Sequence, residues 1–173
     1  GGLKVLRKKD ADRMIENFPG LTDKVKRYRA GGHTMIMEFV DIFLLSKAEN
    51  IIVYDSDILF YKKPDEVINF SKDNIGIDAL ISPQSGTYDL KMDDYYKKKY
   101  QLEEKRVGYM NPGLIAYKKD AIRLEMFLEY FDHTKREIND YFVGMTAWGC
   151  LISQTKFEFL PGDSGRACQN RRP

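Results

Sequence analysis

Two hydrophobic periods take turns along this chain. Short apolar runs of four to seven residues alternate with stretches where apolar positions recur at helical spacing, and that alternation predicts strands separated by helices. "LKVL" (Leu3–Leu6) is the first strand candidate. Residues 11–28 are mixed and broken by Pro19-Gly20, and Gly31-Gly32 mark a second break. From Met35 to Leu45 the chain is apolar nearly all round, which predicts a buried helix with Met35, Ile36, Phe39, Val40, Phe43 and Leu44 in the core. Its polar exceptions, Glu38 and Asp41, are three apart and share a face.

Ile51–Tyr54 reads as a buried strand. Pro64-Asp65-Glu66 places proline at a helix start and acids in its first turn. "IDALISP" (Ile77–Pro83) and "GLIAY" (Gly113–Tyr117) are further strands, and "FEFLP" (Phe157–Pro161) is the last. Tyr88–Arg106, charged and rich in tyrosine, reads as a surface helix or a mobile loop. A helix is expected from about Lys119 to Phe131, and another, capped by Asn139 or Asp140, to about Gln154. The whole predicts an α/β domain over residues 1–161, with helices flanking a mixed, mostly parallel sheet, and an irregular tail over 162–173.

Composition narrows the partners. The 173 residues fit one domain. A formal charge of +2, from 28 basic and 26 acidic residues, argues against a large nucleic-acid surface. No apolar run approaches a membrane span. Cys150 and Cys168 have neither zinc spacing nor a disulfide framework, so a reducing, cytoplasmic setting is expected.

The candidate chemistry lies at the end of one strand. In "IIVYDSDILFYKKP" (Ile51–Pro64), Asp55 and Asp57 follow a buried run. Residues i and i+2 of an extended segment point the same way, so these carboxylates are expected to converge. Two carboxylates that close repel each other unless a cation intervenes. Oxygen-only ligands suit magnesium, calcium or manganese. The strand end is also where open α/β sheets bind ligands. The alternative is a turn whose aspartates bond nearby backbone amides.

"NIIVYDSDILFYKKPDEV" resembles the Asp-x-Asp segment of GT-A fold glycosyltransferases. "MNPGLIAYKKDAI" (Met110–Ile122) is similar to that family's Asn-x-Gly strand, and "MTAWGCLISQTKFEFLP" (Met145–Pro161) to its late helix and strand. The resemblance spans roughly Tyr28 to Pro161. It implies a GT-A-like fold and transfer of a sugar from a nucleotide-diphosphate sugar to an acceptor hydroxyl, with Mn²⁺ or Mg²⁺ holding the diphosphate. It also implies Asp57 and Asp55 as metal ligands, with Asp55 and Ser56 near the nucleotide and Asn111 and Gly113 near the sugar or acceptor. Where many relatives carry an acid and a glutamine, this chain has Gly144-Met145, which leaves Asp140 as the nearest acid and the candidate catalytic base. Arg29 and His33 are candidates for the phosphates, and Asp163 for a third metal ligand.

Two other readings come from the same residues. "IIVYDSDILF" and "LPGDSG" also resemble haloacid-dehalogenase phosphatase motifs, although about fifty residues precede the triplet and "KKPDEV" goes unexplained. A catalytically silent GT-A-like binding module would use the tyrosines of Tyr88–Arg106 as its surface.

Overall fold

The computed structural model describes residues 7–16, 18, 20–32, 34–72, 75–84, 86–137 and 140–161, with the side chains of 34–36 and 38 excepted. The Leu3–Leu6 strand, His33 and the 162–173 tail with Asp163 and Cys168 therefore lie outside the described residues.

Four strands form one sheet: β1 (Asn50–Tyr54), β2 (Ala79–Pro83), β3 (Met110–Lys118) and β4 (Phe157–Phe159), in the order β1-β3-β2-β4. β3 runs antiparallel to both neighbours, while β2 and β4 are parallel. Three strands thus share a direction, but two of the three pairings are antiparallel. This corrects the expectation of a mostly parallel sheet. The reason is visible in the register: Pro83 pairs with Met110, so the chain leaves β2 and re-enters β3 at the same end of the sheet. The β2–β3 connection is a long hairpin, not a crossover.

That connection is the tyrosine-rich stretch. It folds into two short helices, α5 (Asp94–Lys99) and α6 (Glu104–Gly108). Asp93 caps α5 by accepting from the Tyr95 amide at 2.8 Å. Tyr96 is fully buried and donates to the Met126 carbonyl at 3.0 Å, and Tyr100 is also buried. Two tyrosines expected on a surface therefore belong to the core. The charged spacing around them had suggested a solvated face.

Before the sheet come α1 (Lys8–Glu16), α2 (Asp23–Ala30) and α3 (Thr34–Leu45). Thr22 caps α2, accepting from the Val25 amide. Arg29 ties the three helices together, with Nε and Nη2 each 2.8 Å from the Asp41 carboxylate and Nη1 on Asp12. This paired, buried guanidinium is committed to the fold, so Arg29 is not a phosphate contact. α4 (Asp65–Ser71) follows β1, and α7 (Leu124–His133) follows a 3-10 turn over Lys119–Ala121 that breaks the single helix expected there.

α8 (Phe142–Ile152) is apolar all round, and each residue from Val143 to Ile152 is buried. Such a helix needs cover on all sides. β3, α3, α6 and α7 supply it. Trp148 meets the Tyr117 ring at 5.2 Å, and Phe39 reaches both Trp148 and Phe127. α6 approaches so closely that a Cβ on Gly149 would lie 2.8 Å from a Val107 methyl.

Strand parity divides the core. Ile51, Val53, Ala79, Ile81, Ile115 and Tyr117 face the large cluster under α3, α7 and α8. Leu80, Leu114 and Ala116 face a smaller one beneath α4. Of the predicted helix core, Phe39, Val40 and Phe43 are buried, Leu44 is partly so, and the Met35 and Ile36 side chains lie outside the description. No helix among the described residues is long and apolar enough to cross a membrane.

Candidate functional site

The carboxyl ends of β1, β2 and β4 and the amino end of β3 share one edge of the sheet. Asp55 extends β1 by one residue. Its amide donates to the Gly113 carbonyl at 2.8 Å, and its parity continues that of Ile51 and Val53. Its side chain therefore lies on the α8 face of the sheet. The strand ends there: Ile58 N–H donates back to the Asp55 carbonyl at 3.1 Å, closing a turn over Asp55–Ile58. Ser56 and Asp57 occupy the turn, and they and Asp55 are exposed. The aspartates thus sit in a turn, not on the two-residue repeat of a strand, and neither side chain bonds a backbone amide among the described residues.

β3 supplies the floor. Asn111 and Gly113 have the same parity as Ile115 and Tyr117. A Cβ on Gly113 would stand 3.0 Å from Asp55 Oδ2 and 3.0 Å from Asn111 Oδ1. The missing side chain is the space in which the two polar groups come together. Asn111 Oδ1 accepts from the Gly113 amide at 2.8 Å, and its Nδ2 donates to Gln84 Oε1 at 2.9 Å. Gln84, one residue past β2, is held by its own amide donating to the Tyr109 carbonyl at 2.6 Å.

Asp55 is held above the usual carboxylate range, by burial first and by the negative charge of Asp57 second. Among the described residues no cation or donor offsets either effect. Among the described residues no group of three or more histidine, cysteine, aspartate or glutamate side chains is placed to hold a metal ion, so Asp55 and Asp57 stand here as a pair alone.

α8 bears on the same edge. Four residues link its end to β4, which enters the sheet at the far end, so the 11-residue helix runs back about 16 Å and starts near the Asp55 edge. Asp140 precedes that start. Its Oδ1 accepts from the Phe142 amide at 2.9 Å, and its Oδ2 lies 2.7 Å from Arg136 Nη1. Arg136 is buried and also donates through Nε to the Leu90 carbonyl. Burial opposes ionisation of Asp140, but the Phe142 amide and the guanidinium outweigh it and hold the carboxyl below its ordinary value. This geometry gives Asp140 the work of anchoring the start of α8, where the sequence had offered a base or a cap.

Gln84 was missed. Its one sequence signal is its place just beyond a strand end, which it shares with many inert loop residues. Asp163 lies outside the described residues, so the structure neither adds it to the pair nor separates it. No protein-family model matches this chain, and neither a curated protein nor a solved structure matches it.

Proposed function

We propose that this chain is a metal-dependent glycosyltransferase domain that moves a sugar from a nucleotide-diphosphate sugar to an acceptor hydroxyl. The observation that carries the reading is the exposed Asp55–Ser56–Asp57 turn at the end of β1, where the charge of Asp57 adds to the rise in the Asp55 pKa, Asp55 Oδ2 stands 3.0 Å from the position a Gly113 Cβ would take, and no described cation or donor pairs with Asp55. A fold keeps such repulsion at a strand end when a ligand relieves it. Asp55 and Asp57 would hold Mn²⁺ or Mg²⁺. Once bound, the ion would supply positive charge against a departing diphosphate. Asn111 and the backbone at Gly113 would bind the sugar or the acceptor from the β3 side. The start of α8 adds the partial positive charge of its amides to the same edge. Asp140, through Arg136 and Phe142, fixes where that helix begins.

Thermal shift and calorimetry with UDP-glucose, UDP-galactose, UDP-N-acetylglucosamine and GDP-mannose, each with and without Mn²⁺, test the reading. A ligand that binds the folded state raises the melting temperature by mass action. At least one donor is expected to do so in the presence of metal, and Asp57→Ala is expected to abolish that shift while the fold persists. Unchanged donor affinity in Asp57→Ala would remove the metal role. Phosphate release from a generic phosphate ester would favour the phosphatase reading instead.

A further inference from the structure

We propose that β1 is a dimerisation strand: its outer edge pairs antiparallel with β1 of a second copy of this chain, across a two-fold axis. The inference does not depend on the glycosyltransferase reading.

The register fixes which groups that edge offers. The Glu49 carbonyl accepts from the Lys119 amide, and the Asp55 amide donates to the Gly113 carbonyl. Both contacts continue the register of β1 on β3 without a shift. Alternate residues of a strand bond to the same side, so Ile51 and Val53 also turn their backbone groups toward β3. Asn50, Ile52 and Tyr54 turn theirs outward. β1 is an outermost strand of the sheet, and these outward groups have no partner among the described residues. Ile52 is 37% exposed and Tyr54 58%. Both side chains lie on the α4 face, opposite Ala116 and Leu114. The exposed Phe60 ring meets Tyr54 on the same side, 6.3 Å between centroids.

The two edges of the sheet differ. β4 is three residues long, has Glu158 at its centre and ends two residues before Pro161. Shortness, charge and proline all blunt an edge. β1 is five residues long, with no proline, no charge and no bulge. An open edge of this kind takes up another extended strand. In a solution of this chain, the described strand that matches it is β1 itself. Charge sets the direction. A parallel copy lays the two Asp55–Asp57 turns side by side. An antiparallel copy sends each turn to the far end of the other strand, beside Lys47 and Glu49, where the charges balance. The register that pairs every outward residue places Ile52 opposite the partner's Ile52 and Asn50 opposite the partner's Tyr54. Each copy then contributes the same surface, as a closed two-fold dimer requires, and the two four-stranded sheets join into one.

Sedimentation velocity over a wide concentration range tests the assembly, and amide hydrogen exchange tests where it lies. The wild-type chain is expected to rise from the mass of one copy to that of two. In the dimer the Ile52 and Tyr54 amides should exchange about tenfold more slowly, or slower still, than at monomeric dilution. The Ile51 and Val53 amides, already bonded to β3, should change little. Ile52→Pro removes one outward amide and spares the β3 ladder, because that N–H does not face β3. Tyr54→Lys leaves the backbone intact and sets a charge on the edge. Both variants are expected to keep the mass of one copy where the wild type has that of two. Melting temperatures show whether each is folded. Should Ile52→Pro fail to fold, Tyr54→Lys and the wild-type exchange data decide.

A wild-type chain that keeps the mass of one copy at every concentration overturns the proposal. So does a dimer whose Ile52 and Tyr54 amides exchange alike at all concentrations, or one that persists in folded Tyr54→Lys, because its interface then lies elsewhere. The proposed donor site stands or falls separately, on the metal and nucleotide-sugar titrations.

Discussion

Replacing Asp140 with alanine separates anchoring from catalysis. The carboxylate does two things at once: it accepts from the Phe142 amide at the start of α8 and pairs with Arg136 Nη1 at 2.7 Å. Arg136 has 3% side-chain exposure and Asp140 has 20%. Breaking a buried pair by removing one partner costs about 3–5 kcal/mol, because the remaining charge is stranded. Asp140 sits at the mouth of this pair, so water can reach the guanidinium once the carboxylate is gone, and the cost falls below that range, to about 2–3 kcal/mol, as for a hydrogen bond to a charged group. Loss of the helix-start acceptor adds about 1 kcal/mol. The total is about 3–4 kcal/mol, or a fall of roughly 6–16 °C in melting temperature for a domain of this size. Asp140→Asn keeps an acceptor for Phe142 and should lose less. The pH dependence has a definite sign. Folding lowers the Asp140 pKa, so its contribution is present above the unfolded carboxylate value of about 3.9 and is lost as pH falls through the lower folded value. The gap between wild type and Asp140→Ala should therefore close in acid. Urea melts at several pH values, with transfer rates per folded molecule, decide the matter. A variant that keeps its stability within about 1 kcal/mol but loses turnover would show that Asp140 is the base and that the anchoring argument is wrong.

Two other perturbations have definite outcomes. Asp55→Asn should raise the melting temperature near neutral pH, because folding raises the Asp55 pKa and the ionised form opposes the fold above it; the advantage should vanish below about pH 4, where both proteins carry a neutral group, and saturating Mn²⁺ should stabilise wild type but not the variant. Phe39→Ala should cost about 3–5 kcal/mol and more than Phe43→Ala, since Phe39 is 1% exposed and touches Phe43, Phe127 and Trp148, whereas Phe43 is 8% exposed; equal urea midpoints would refute the view of Phe39 as the hub of α3, α7 and α8.

Elements with a strong local signal were legible in the sequence. The apolar run before Asp55, α3 and the proline-led start of α4 all formed where predicted, because their signals are written in neighbouring residues, although the strand expected to be buried is buried on one face only, with Ile52 and Tyr54 exposed. Direction was harder to read. Nothing in "GLIAY" distinguishes a strand that runs with its neighbours from one that runs against them. That choice is made by the 26 residues between Pro83 and Met110, whose two short helices return the chain to the edge it left. Tyr96 and Tyr100 were misread for a related reason. Lysines next to them mark a solvated face, but α5 is short and its tyrosines reach inward to α7, with Tyr96 on the Met126 carbonyl and Tyr100 on Glu129.

The antiparallel strand is also what brings the candidate site together. Were β3 parallel to β1, its end at Lys118, and not Asn111 and Gly113, would lie beside Asp55. Because β3 enters where β1 leaves, a residue early in one element meets a residue late in another: the Gly113 carbonyl takes the Asp55 amide, and the gap at Gly113 takes the Asp55 carboxylate. Gln84 reaches Asn111 for the same reason, since β2 also ends at that edge. Asp55 and Gly113 are 58 positions apart in the sequence, and the motif around each is short. What makes them one site is the reversal of a single strand, and that reversal lies in the packing of the β2–β3 connection rather than in either motif.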